Sequence, residues 1–96
     1  MRVLVCYDVQ VSGLGGERRL RRVAKLCRDF GQRVQYSVFE LDVEPAQWVA
    51  VRQRLIEEVD LTCDSLRFYM LGRSDRTVVE HLGAKVPRDL SGPLIL

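Results

Sequence analysis

Hydrophobic and polar positions alternate in five blocks before the pattern weakens near residue 72. Val3-Leu4-Val5-Cys6-Tyr7 is an unbroken apolar run closed by Asp8. Such a run predicts a central strand with both faces at least partly covered. Residues 10–16 follow as a flexible loop, since Ser12-Gly13 and Gly15-Gly16 interrupt regular structure. From residue 17 to 30 the period becomes helical: Leu20, Val23, Ala24, Cys27 and Phe30 form one apolar stripe. Arg18, Arg22 and Lys25 lie opposite that stripe, with Arg21 and Arg28 on one flank. Gly31 stands where a helix C-cap is expected.

Residues 33–43 have strand character without Gly or Pro, but their parity switches. Val34, Tyr36 and Val38 share one side, whereas Phe39, Leu41 and Val43 take the other. Because strand side chains alternate strictly, the switch predicts a bend near Tyr36-Ser37-Val38, so that the segment does the work of two short strands. Pro45 opens a second helix with Trp48, Val51, Leu55 and Val59 as its stripe. Residues 64–71 read as a strand with Leu66, Phe68 and Met70 on one face. The order strand, helix, bent strand, helix, strand resembles the ferredoxin-like split βαβ plan of an α+β fold. Residues 77–82 suggest a further short strand. Pro93-Leu94-Ile95-Leu96 is an apolar end that predicts an edge strand on a partner subunit.

Ninety-six residues make one domain, with residues 1–71 as its core and 72–96 as a C-terminal extension. A chain this short hides about 60–65% of its unfolded surface, and 47% apolar content strains that capacity, so self-association is expected. The net charge of +2 says little, but its distribution is uneven. Between residues 18 and 33 lie seven cationic side chains and one acid, Asp29, a pattern that suits phosphates. Cys6, Cys27 and Cys63 are irregularly spaced and there is one histidine, which argues against a zinc cage. Cys6 and Cys27 read as small buried hydrophobes, and reduced thiols imply a cytoplasmic protein. No stretch approaches the roughly 20 apolar residues of a membrane span.

Asp8 is the leading candidate for chemistry, because it ends the central strand directly before a glycine-rich loop. One carboxylate is a meagre Mg²⁺ site, and a twofold axis near Asp8 would double it. A turn-capping role is the plain alternative. Gly13-Leu14-Gly15-Gly16 lacks the Gly-Lys-Ser or Gly-Lys-Thr of a phosphate-binding P-loop. His81 has no partner in sequence, and Trp48 reads as packing. No aromatic pair of the RNA-recognition type appears in the strands.

Three segments together resemble the CRISPR-associated endonuclease family, the small partner of the spacer-acquisition integrase. They are Tyr7-Asp8-Val9, the ten residues from Gly31 to Glu40, and Asp64-Ser65-Leu66-Arg67-Phe68-Tyr69. The resemblance implies a ferredoxin-like homodimer with an extra C-terminal strand and an Mg²⁺-dependent endonuclease of RNA or DNA. It implies that Asp8 of each subunit ligates one shared Mg²⁺ and that Tyr7 assists. Arg18, Arg19, Arg22, Lys25, Arg33 and Phe39 are then expected at the nucleic acid. Other readings stay open: a non-catalytic DNA adaptor of the integrase complex, a toxin-like ribonuclease outside CRISPR, or a small-ligand regulatory domain, which leaves the basic helix unexplained.

Overall fold

The computed structural model describes residues 1–72 and 78–84. Its elements are β1 (Arg2–Asp8), α1 (Gly16–Phe30), β2 (Gly31–Gln35), β3 (Val38–Asp42), α2 (Pro45–Glu58), β4 (Ser65–Leu71) and β5 (Val78–Gly83). All five strands join one antiparallel sheet in the order β2-β3-β1-β4-β5. With β1 between β3 and β4, the first four strands and two helices have the ferredoxin-like arrangement, and β5 is added beside β4.

Strand alternation divides the sheet into two unlike faces. Val3, Val5 and Tyr7 of β1, Phe39 and Leu41 of β3, and Leu66 and Phe68 of β4 form one core with the buried faces of α1 and α2. Both helical stripes are therefore spent here: Val23, Ala24 and Cys27 from α1, and Trp48, Val51 and Leu55 from α2. Trp48 meets Phe68 edge-on, with ring centroids 4.9 Å apart. Glu44 and Gln47 close a capping box at the start of α2, just ahead of Pro45.

Neither α1 nor α2 covers the opposite face. There Leu4 pairs with Glu40 and Tyr69, and Cys6 with Val38 and Arg67. Arg67 in turn lies opposite His81. Leu4 and Val38 are buried yet lie outside the helix-side core. Asp8, two positions beyond Cys6, ends β1 on this same face.

Three expectations change in detail. The bent strand of residues 33–43 is a hairpin, turned at Tyr36-Ser37, with a register shift between Arg33 and Gln35. The parity switch arises because β2 is an edge strand whose Val34 faces solvent, while β3 is internal. Gly31 does not cap α1 in a left-handed conformation: it is extended and begins β2. Glycine is needed for space, since a Cβ would lie 2.1 Å from the Glu40 carbonyl oxygen. Cys27 is fully buried as expected, but Cys6 is only half-buried, on the helix-free face.

The extension begins by pairing with its own chain, because β5 runs antiparallel to β4 from Met70↔Val78 to Ser65↔Gly83. Arg52 of α2 holds it there, donating from Nε to Glu80 at 2.8 Å. The expected docking of residues 93–96 on a partner lies outside the described residues.

Candidate nucleic-acid interface and metal site

The end of β1 sets the site. Asp8 is exposed and opens on a hollow of about 420 Å³ lined also by Tyr7, Val9, Val11, Leu20, Tyr36 and Ser37. Among the described residues no second acid and no histidine lines it. Among the described residues no group of three His, Cys, Asp or Glu side chains is placed to hold a metal. Mg²⁺ takes one or two protein carboxylates and completes its shell with water and substrate phosphates. As a single carboxylate, Asp8 is at the low end of that range.

Tyr7 turns the other way. Its ring is buried beside Phe39, with centroids 6.2 Å apart, and its hydroxyl donates to the Tyr36 carbonyl at 3.5 Å. Burial raises its pKa, so it stays protonated at neutral pH. In this position Tyr7 ties β1 to the hairpin turn, and its hydroxyl is spent on the Tyr36 carbonyl. Phe39 is wholly buried and has no surface to offer a ligand. It instead supports Arg33, whose guanidinium carbon lies 5.0 Å from the Phe39 ring centroid and 5.7 Å from that of Tyr36.

A second hollow, of about 550 Å³, runs between α1 and the hairpin. Its floor is Tyr7, Leu20 and Ala24, and its rim is Arg21, Arg22, Lys25, Arg28, Arg33 and Tyr36. Among the described residues five cations and no acid line it, although Arg22 pairs with Glu58 at 2.7 Å and Lys25 with Asp29 at 3.7 Å. Among the described residues Arg21 and Arg28 have no ion-pair partner. Arg18 lies around the helix, in a neighbouring hollow that also holds Asp29 and Glu58. The two hollows described first share Tyr7, Leu20 and Tyr36 as a common wall, which joins the cationic groove to Asp8.

Arg19 stands apart from the other cations of α1. Its Nε donates to Asp64 at 2.8 Å, and its remaining nitrogens reach the carbonyls of Leu14 and Gln10. Asp64 is fully buried and also accepts the backbone N–H groups of Gln10 and Asp60, each at 2.9 Å. Arg19 thus braces the loop after β1, and its guanidinium is occupied by the protein itself.

The landmarks that decide identity occupy this site: Tyr7-Asp8 at the end of β1, the Arg33–Phe39 hairpin and the Asp64-led β4. The profile of the family CRISPR associated protein Cas2 matches residues 1–78. The chain belongs to the Cas2 family. It is 59% identical to a CRISPR-associated endoribonuclease Cas2 of Chlorobaculum tepidum over 96 residues, which is 100% of both chains. It is 52% identical to a CRISPR-associated endonuclease Cas2 of Halalkalibacterium halodurans over 95 residues, 99% of each. The crystal structure of Streptococcus pyogenes Cas2 at pH 6.5 superposes with a TM-score of 0.70 at 55% identity, covering 76% of this chain and 88% of that one. As the Cas2 likeness implies, the sheet and two helices are ferredoxin-like. Among the described residues no helix is long and apolar enough to cross a membrane.

Two residues of this Cas2-family site escape sequence reasoning. Asp64 looks like an ordinary polar residue before a strand, and nothing local announces that it is buried. Tyr36 has the same parity as Val34 and Val38 and reads as packing, yet it is 75% exposed. It sits in the turn between β2 and β3, and a turn there is the signal that would have placed its ring outside.

Proposed function

We propose that the chain is an Mg²⁺-dependent endonuclease of CRISPR spacer acquisition, cleaving RNA or DNA phosphodiesters in the cytoplasm as a homodimer beside the CRISPR integrase. Family membership supports the class of activity, since relatives bear the names endoribonuclease and endonuclease. The observation that carries the reading is the exposed Asp8 at the end of β1, in a hollow that adjoins a groove of five cations.

The helix-free face supplies the logic of the dimer. Leu4, Cys6, Val38 and Tyr69 give it an apolar centre that neither helix covers. Two such faces packed together would bury that centre and bring both Asp8 carboxylates toward the axis. Those two carboxylates would hold the ion; when bound, it offsets phosphodiester charge and eases deprotonation of the attacking water. Arg21, Arg28 and Arg33 hold the strand through its phosphates and offset charge as it builds on the reacting group. Arg19 and Tyr7 keep the loop and the hairpin in place around Asp8.

A second reading, a non-catalytic DNA adaptor of the integrase, is favoured by one specific feature. The cationic groove does not include Asp8, and among the described residues no other acid or histidine lines the Asp8 hollow to take a proton. Binding and cleavage are therefore separable in this chain. Cleavage of labelled single-stranded RNA and duplex DNA, with Mg²⁺ and with chelator, tests the choice using wild type and Asp8→Ala. Mg²⁺-dependent cleavage lost in Asp8→Ala, with binding retained, supports the nuclease. Cleavage unaffected by the substitution, or binding with no cleavage, removes Asp8 from catalysis and leaves the adaptor.

A further inference from the structure

Tyr36 occupies the turn of the β2–β3 hairpin, and its position is fixed while its ring is left open. The backbone is held from below by the Tyr7 hydroxyl at the Tyr36 carbonyl. The ring is flanked by Arg33, which itself rests on the buried Phe39. Nothing in the core requires an aromatic side chain here, since the ring is 75% exposed and takes no part in the core cluster. Its place is equally specific: Tyr36 lines both the groove of five cations and the hollow that holds Asp8.

An open ring beside cations is the combination that recognises a nucleobase together with its phosphates. Arg21 and Arg28 provide charge that no acid among the described residues neutralises, and the groove floor of Leu20 and Ala24 suits an apolar surface such as a base or sugar edge. We infer that Tyr36 is a base-stacking residue and that the groove between α1 and the hairpin takes a single-stranded segment of nucleic acid, RNA or DNA. One base lies on the Tyr36 ring and the phosphates on one side run along Arg21, Lys25 and Arg28. The strand is single because a base must leave its helical stack to reach a side-chain ring, which a closed duplex prevents. With the base seated on the shared wall, the phosphodiester on its other side enters the Asp8 hollow. Tyr36 thereby determines which strand geometry reaches the carboxylate. The inference rests on the nucleic-acid reading above but not on cleavage.

The test is equilibrium binding of the full chain in chelator, so that loss of catalysis and loss of stacking are separated. The probes are fluorescent 12-nucleotide single strands of RNA and of DNA, a DNA strand of equal length with abasic sites throughout, and a 20-base-pair duplex. The proteins are wild type, Tyr36→Ala and Tyr36→Phe. Wild type is expected to bind the base-bearing strands more tightly than the abasic strand. Tyr36→Ala is expected to weaken the base-bearing strands about tenfold or more, with abasic and duplex binding unchanged. Tyr36→Phe, which keeps the ring, restores wild-type affinity. An equal loss on abasic and base-bearing strands would make Tyr36 a mere support for Arg33 and overturn the inference. So would unchanged affinity in Tyr36→Ala, or wild-type binding confined to the duplex. The RNA and DNA arms report which sugar the groove prefers.

Discussion

The Arg19 guanidinium lies 2.8 Å from the fully buried carboxylate of Asp64, joining α1 to the start of β4 across 45 positions of sequence. Asp64 serves four elements at once: it accepts from Arg19 and from the backbone of Gln10 and Asp60, and its own carbonyl receives the N–H of Ala84 just past β5. Asp64→Ala removes the acceptor of the Gln10 and Asp60 amides and of Arg19 Nε, leaving Arg19 its carbonyl contacts alone, a costly loss around a buried position. A thermal midpoint lower by about 10 °C is expected, with faster hydrogen exchange at Gln10 and Asp60. Calorimetry and exchange on the variant check both; an unaltered midpoint would show that the hub is not structural.

The same hub sets an acid limit on the fold. Burial alone would raise the Asp64 carboxyl, but hydrogen bonds from Arg19 and from the Asp60 and Gln10 amides outweigh it and hold the group below the usual carboxylate range. Arg52 lowers Glu80 and Thr62 lowers Asp60 in the same direction. A carboxyl depressed in the folded state adds stability above its unfolded value, about 4, and loses it as pH falls through the folded value. Urea midpoints should be level from pH 7 to 5 and fall below about pH 4. Asp64→Asn should show a shallower fall; a steepness equal to wild type would assign the acid limit to other groups.

Self-association through the helix-free face is tested at Leu4, which is buried without belonging to the helix-side core. Leu4→Arg places a charge at the centre of that face. The dimer dissociation constant should rise by at least tenfold, roughly the effect of losing a central contact. Light scattering coupled to gel filtration reads the outcome, with circular dichroism confirming that the monomer is folded. A variant that remains dimeric at low micromolar concentration would place the interface elsewhere.

Phosphate contacts at the groove are read from salt dependence. Arg21 and Arg28 line it without acidic partners among the described residues, whereas Arg22 and Lys25 have Glu58 and Asp29. Removing one phosphate contact lowers the slope of log affinity against log salt by about 0.7–0.9. Arg21→Ala with Arg28→Ala should therefore flatten the slope by roughly 1.5, uniformly across sequences, while Arg19→Ala should leave it unchanged. A slope lost in Arg19→Ala and kept in the double variant would reverse the assignment.

Periodicity made the helices legible because both stripes face one core: Leu20, Val23, Ala24 and Cys27 in α1, and Trp48, Val51 and Leu55 in α2. The cysteine at position 27 also behaved as its surroundings suggested, and burial pushes its thiol up to about 12. The hairpin was half legible. Parity exposed a break at Tyr36-Ser37, but alternation cannot distinguish a bend from a reversal, and only pairing decides. Gly31 shows a different limit, since its requirement is set by Glu40, a neighbour created by the fold. Asp8 was singled out from its place at a strand end, where the structure leaves it exposed, whereas Arg19 could not be separated from Arg18 and Arg22. Its distinction is Asp64, and a contact across that distance leaves no trace in the spacing of α1.

Shared ligation by two Asp8 carboxylates is the central claim, and mixed dimers test it most directly. Co-expression with two affinity tags yields dimers in which one subunit is wild type and the other carries Asp8→Ala. Mg²⁺-dependent cleavage is then compared with both parent homodimers at equal dimer concentration. If the two carboxylates form one site, the mixed dimer falls to the level of the Asp8→Ala homodimer. Half the wild-type rate in the mixed dimer would mean that each chain works alone, and would contradict the shared site.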